Sequence, residues 1–235
     1  MSLLPPKIAR MIRPRYPLLD NGDRMKAAEF EARYSAMPHV RRADLLNGVV
    51  YLSSPVRQES HAAPHGIAVT WLGNYCMLTP GVNFGDNGTI RLDDDNQPQS
   101  DVCLRIPAAA GGQSTISDDD YVTGAPELVC EVAASSRSFD LGVKKDVYAR
   151  FGVREYVVWQ VEENGIDWFV LRNGQYVSVD PDPDDLFRSA VFPGLWLDWK
   201  ALLTGDLAGV FAALQQGCAA PEHQAFVQRL AQSHP

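Results

Sequence analysis

No run of about 18 apolar residues occurs anywhere in the sequence, and that absence excludes a membrane-spanning helix. Cysteine is sparse. Cys76, Cys103, Cys130 and Cys218 form no CxxC pair, which argues against a zinc knuckle. Cys103 and Cys130 fall inside apolar runs, where cysteine acts as a small hydrophobe. The opening MSLLPPKIARMIRPRYP carries Lys7, Arg10, Arg13 and Arg15 among prolines and lacks the apolar stretch of a secretory leader. It reads as an extended, proline-stiffened arm over 1–22, and the protein as cytoplasmic with reduced thiols. Positive charge is also short: 21 Lys and Arg against 29 Asp and Glu give a net charge of −8. That balance opposes tight binding of nucleic acid without metal, because phosphate neutralisation dominates such binding. Carboxylates gathered around a cation would make a sequence acidic while reversing the sign locally. The acidic runs at 93–96 and 118–120 lack the spaced ligands of a calcium loop and read as solvated loops.

What is present is core material: 235 residues at 46% hydrophobic content suit one α+β domain over 23–200 with a helical tail over 201–235. Phe30, Tyr34 and Met37 share a helical stripe and predict a short first helix. ADLLNGVVYL places Asn47-Gly48 between two apolar runs, a hairpin signal. ESHAAPHGIAVTWLGNYCML reads as a helix with Pro64 in its first turn. GVNFGDNGTIRL and DVCLRI read as strands, and a long loop spans 107–126. ELVCEVA is almost continuously apolar, as in a strand covered on both faces. SSRSFDLGVKKDVYARFG predicts a helix with Asp140 as N-cap and Gly152 as C-cap. A strand meander follows, turning at Asn164-Gly165 and Asn173-Gly174, and then VFPGLWLDWKALL, LAGVFAALQQG and EHQAFVQRLAQ as helical pieces.

One constellation suggests chemistry. Hydrolysis of a phosphodiester with a divalent metal needs hard oxygen ligands, usually carboxylates on neighbouring strands. Asp101 opens DVCLRI, and Glu131 interrupts the apolar ELVCEVA, where a carboxylate is costly unless paired or metal-bound. Lys144 lies four residues after Asp140 and four before Tyr148, so the three share one helical face. Plainer readings exist for each. Asp101 could be a turn residue, Asp140 a cap, Tyr148 core, and Glu131 the partner of a buried arginine such as Arg105 or Arg154. His61 and His65 have the spacing zinc enzymes use, but Pro64 weakens the helix between them and no third ligand is near in sequence.

With these residues in view, Ser100-Asp101 followed by PELVCEVAASSRSFDLGVKKDVYARFGVREYVVW resembles the Uma-two family of restriction endonucleases, a branch of the PD-(D/E)XK nuclease superfamily. The resemblance runs from about the hairpin at Asp44 to FPGLWLD near 192–198. It implies a restriction-endonuclease-like core, a four-stranded mixed sheet flanked by helices, with Mg²⁺ (or Mn²⁺) at Asp101 and Glu131 and support from Asp44. Ser100 replaces the superfamily's proline, and Ala133 stands where its lysine usually does. Relatives with that gap place the lysine on the next helix, where Lys144 matches. The expectation is a homodimeric, metal-dependent endonuclease acting on DNA. Asp101, Glu131 and Lys144 would be catalytic, Asp44, Asp140 and Tyr148 supporting, and Arg41, Arg42, Arg150 and Arg154 would contact phosphate. The alternative is a binding module that kept the fold and lost catalysis.

Overall fold

The hairpin forms where Asn47-Gly48 predicts it, between β1 (Ala43–Leu46) and β2 (Val49–Leu52). Asn47 and Gly48 both take positive φ, 53° and 70°, as a tight right-twisting turn requires. The helix before it, α1 (Ala27–Ser35), buries Ala27 and Phe30 against this hairpin, and Met37 closes the same small core. The computed structural model describes residues 17–53 and 57–233. Most of the arm expected over 1–22 therefore lies outside the described residues.

The next helix begins with a wide turn, Gln58–Ala62, before α2 (Ala63–Leu78). Pro64 has no N–H to give the carbonyl four residues back, so regular α geometry can only settle after it. GVNFGDNGTIRL is two strands, not one: β3 (Asn83–Asp86) and β4 (Ile90–Arg91) are separated by Asn87 at φ 52° and enter different sheets. β5 (Val102–Arg105) follows. The 107–126 loop is not structureless. It holds β6 (Thr115–Ile116) and β7 (Val122–Thr123), which build a small sheet with β4. Buried Glu127 ties its two ends by accepting from the N–H of Ile106 and of Gln113, at 2.7 and 2.8 Å.

β8 (Leu128–Ala133) is buried at every residue, as its apolar run predicts. A three-residue helix, α3 (Arg137–Phe139), a wide turn over Asp140–Lys144 and α4 (Lys145–Phe151) then cross to β9 (Glu155–Gln160). β9 pairs parallel with β8, and a parallel pair needs such a crossover. Gly152 ends α4 at φ 87°, the expected cap. Asp140 is not an N-cap: the helical run starts at Arg137, and its carboxylate is buried inside that run. β10 (Gly165–Arg172) and β11 (Gln175–Val179) complete the meander.

The main sheet runs β11-β10-β9-β8-β5-β3, so it has six strands where the resemblance implied four. Only the β8–β9 pairing is parallel, which makes the sheet mixed. Along β8, Leu128, Cys130 and Val132 join the core under α2, while Val129 and Ala133 pack with Tyr148 and Tyr156 on the other side. Strand alternation therefore aims Glu131 at the α4 side. In the tail, VFPGLW is not helical. β13 (Trp196–Asp198) pairs with β12 (Leu186–Arg188) before α5 (Trp199–Thr204), α6 (Leu207–Ala219) and α7 (Pro221–Gln232). Leu214, Phe226 and Leu230 from this tail sit in the same core as the sheet. Among the described residues, no helix is long and apolar enough to cross a membrane.

Candidate active site

Asp101 and Glu131 reach each other because β5 and β8 are antiparallel neighbours with Val102 opposite Cys130. One step out along each strand, the two carboxylates face one another on the α4 side. The Asp101 N–H donates to Glu131 Oε2 at 3.3 Å, and the Val132 N–H donates to Asp101 Oδ2 at 2.7 Å. Asp44 comes from β1, carried in by a backbone bridge between Leu45 and Gln97, and its Oδ1 accepts from the Gln99 N–H at 2.7 Å. All three carboxylates are buried.

From the other side, α4 and the wide turn before it bring Lys144, Tyr148 and Asp140. Lys144 Nζ donates to Glu131 Oε1 at 2.7 Å and to the Gln99 carbonyl at 3.0 Å. It also lies 3.8 Å from Asp44 and 3.9 Å from Asp140. The Tyr148 hydroxyl donates to the same Glu131 oxygen at 3.2 Å. The plainer reading of Glu131, pairing with an arginine, is met, but by Arg42 and not by Arg105 or Arg154. Arg42 stands two residues before Asp44. Its guanidinium hydrogen-bonds Asp101 Oδ1, donates to Glu131 Oε2 at 3.3 Å and to the Gln99 carbonyl at 2.5 Å, and approaches Asp44 Oδ2 at 3.9 Å.

Electrostatics follow from this packing. Burial pushes the Glu131 carboxyl up, and Lys144 offsets that only partly. Burial works on Asp101 too, but the charges of Arg42 and Lys144 and the Val132 N–H outweigh it and hold this carboxyl at about 2. Burial opposes the charge on Lys144, yet Asp44 and Glu131 more than compensate, so its pKa is raised and it stays an ammonium. Burial, followed by the charge of Glu131, moves the Tyr148 hydroxyl far above its ordinary range, so it acts as a donor and not as a base.

Other expected residues lie elsewhere. Arg41 is exposed. Arg150 donates to Asn47 at 2.7 Å and Asn96 at 3.3 Å, and Arg154 to Gln113 at 3.2 Å. The His61 and His65 rings lie tilted to each other with centroids 5.8 Å apart, and His65 Nε2 faces Asp86 at 3.1 Å and the Asp101 carbonyl at 3.4 Å. Arg42, expected as a phosphate contact, stands among the carboxylates, and the Gln99 carbonyl had no expected role. The Gln99 carbonyl receives both cations, and being main chain it leaves no signal in residue type. Arg42 shares the face of Asp44 by simple strand alternation, a signal that was available.

The donor chemistry fits a hard divalent ion, which takes only one or two protein carboxylates. Asp101 Oδ2 and Glu131 Oε1 are held by fixed donors, while Asp101 Oδ1 and Glu131 Oε2 turn to a shared cation position, where Arg42 stands. Among the described residues, no three carboxylate, imidazole or thiolate side chains close on one point as a ready-made cage.

A family described as "Putative restriction endonuclease", Uma2, matches residues 27–200, most of the chain and all of the site just described. A crystal structure of a putative nuclease belonging to DUF820 from Anabaena variabilis shares the fold. It is 11% identical at a TM-score of 0.52, with 74% of this chain and 92% of that chain covered. No curated protein matches. The chain belongs to the Uma2 family, and it has the nuclease-like fold of that neighbour.

Proposed function

We propose that this Uma2 protein is a divalent-metal-dependent endonuclease that hydrolyses phosphodiester bonds in DNA, with Mg²⁺ or Mn²⁺ held by Asp101 and Glu131. The observation that carries the reading is the pair of buried carboxylates facing across β5 and β8, with the Lys144 ammonium 2.7 Å from Glu131. A metal held there would supply Lewis acidity toward the phosphate and would lower the pKa of the attacking water.

The chain's own residues do the rest. Lys144 fixes the direction of Glu131, because its Nζ and the Tyr148 hydroxyl both hold Oε1, and Oε2, which accepts from the Asp101 N–H at 3.3 Å, turns toward Arg42. It is fully buried and keeps its proton, so it serves as a positioning residue and fixed positive charge, not as a base. Asp44 orders Gln99, whose carbonyl carries Lys144. Lys144 thereby replaces, from the following helix, the lysine that Ala133 lacks. Arg41 is exposed and is available to phosphate. An isologous dimer would present two such sites to two strands.

The test is cleavage of supercoiled plasmid and single-stranded DNA with Mg²⁺ or Mn²⁺, beside EDTA controls and Glu131→Gln. Nicking that needs metal and disappears in the variant is the expected result. Equal inertness of both proteins at high enzyme and low salt would favour the binding-module reading, which the net charge of −8 also suits.

A further inference from the structure

We infer that Arg42 and the divalent cation are alternative occupants of one position, so that Arg42 must leave the carboxylate cluster before metal can bind. The inference rests on the metal-dependent reading above and concerns what controls that same site.

Three carboxylates line Arg42, each turning one oxygen to a fixed donor and the other to the guanidinium, with Glu131 Oε2 also accepting from the Asp101 N–H at 3.3 Å. Asp101 Oδ2, Glu131 Oε1 and Asp44 Oδ1 accept from the Val132 N–H, from Lys144 and Tyr148, and from the Gln99 N–H respectively. Their second oxygens, Asp101 Oδ1, Glu131 Oε2 and Asp44 Oδ2, are the ones Arg42 touches. Any cation using Asp101 and Glu131 needs oxygens that the guanidinium now holds, and the two cannot share them at close range.

Access points the same way. The Arg42 side chain is 18% exposed, whereas those of Asp44, Asp101 and Glu131 are 2%, 3% and 1%. Arg42 closes the cluster on its solvent side and is the member with a route out. It precedes β1, so the side chain can turn outward without breaking the β1–β2 ladder. Lys144 has no such route, being fully buried between Glu131 and the Gln99 carbonyl. Without metal, Arg42 offsets the mutual repulsion of the carboxylates. When metal is bound, the ion takes over that role and Arg42 is freed toward the side from which a substrate phosphate would approach.

If only a fraction of molecules hold Arg42 outward, the apparent metal affinity falls by that fraction. Mn²⁺ is the better probe, since Mg²⁺ sheds its waters reluctantly. Titration calorimetry of Mn²⁺ into the full chain should show Arg42→Met binding about tenfold or more tighter than wild type. A second measurement uses wild type alone and does not depend on the variant folding: labelling with phenylglyoxal, with Arg42 followed by peptide mass spectrometry. Arg42 should label faster once Mn²⁺ saturates the protein. Mn²⁺ binding with equal or weaker affinity in the variant, or with Arg42 labelling unchanged at saturation, overturns the exchange and leaves the metal site standing. No Mn²⁺ binding by either protein overturns both readings together.

Discussion

At the scale of single residues, the site is a balance of buried charges in which each member needs its partner. Lys144 has no solvent contact and faces Glu131 at 2.7 Å, so replacing it by methionine leaves the carboxylates short of a cation. Lys144→Met is expected to cost about 3–5 kcal/mol in urea denaturation. Combined with Glu131→Gln, it should cost clearly less than the two single losses added, because contacting residues do not act independently. Another buried carboxylate, Glu155, sets part of the pH response away from this cluster. Burial pushes it up to about 7 from an ordinary 4.5, although the Ser189 hydroxyl and Ala190 N–H donate to it. A raised folded-state value means stability that is complete below about 4.5 and is lost as pH rises through about 7. Glu155→Gln should remove that slope. The difference in unfolding free energy between wild type and variant should drift by up to about 3 kcal/mol between pH 4.5 and 8. A parallel pair of curves would contradict the assignment.

Legibility at this scale was uneven. Glu131 announced itself as a charge inside an apolar run, and the spacing of Asp140, Lys144 and Tyr148 put all three on one side of Glu131. Asp140 read as a cap because its type and place suit one, and only the helical start at Arg137 shows otherwise. Arg42 reads in the sequence as a phosphate contact, because its partners Asp101 and Glu131 lie 59 and 89 residues away and no local pattern encodes such a distance.

At the scale of elements, periodicity carried most of the fold. The hairpin, β8, the meander and α2 follow from alternation, apolar runs and Asn-Gly turns. What failed were segments where a neighbour decides. GVNFGDNGTIRL is apolar enough to read as one strand, yet Asn87 turns it and β7 captures its second half. VFPGLWLD reads as helix until β12 pairs with its last three residues, Trp196–Asp198. The tail is seated by a close approach that only glycine permits. A Cβ on Gly217 would fall 2.3 Å from the Gly194 carbonyl oxygen and 2.8 Å from the Trp196 ring. Gly217→Ala should therefore destabilise the protein by about 2–3 kcal/mol, as overpacked backbone contacts do. Gly66→Ala in α2, where the added Cβ meets nothing within 4 Å, should be neutral or slightly stabilising. Thermal melts of the two variants test the contrast.

At the scale of the whole molecule, the acidic sequence and the nuclease-like fold are reconciled by where the charge lies. Four of the carboxylates, Asp44, Asp101, Glu131 and Asp140, are buried around Arg42 and Lys144 and do not contribute a simple negative surface. The sequence reading anticipated a carboxylate cluster behind the negative charge, and it placed the cluster's strands correctly through the family resemblance. The arginine expected beside Glu131 was Arg105 or Arg154, and the cluster carries Arg42. The most direct test of the central claim is an anomalous difference map from crystals of the full chain soaked in Mn²⁺. The account predicts a peak between Asp101 Oδ1 and Glu131 Oε2, with Arg42 turned away from both. Crystals loaded with Mn²⁺ elsewhere, with no peak there and the guanidinium still in place, would contradict it.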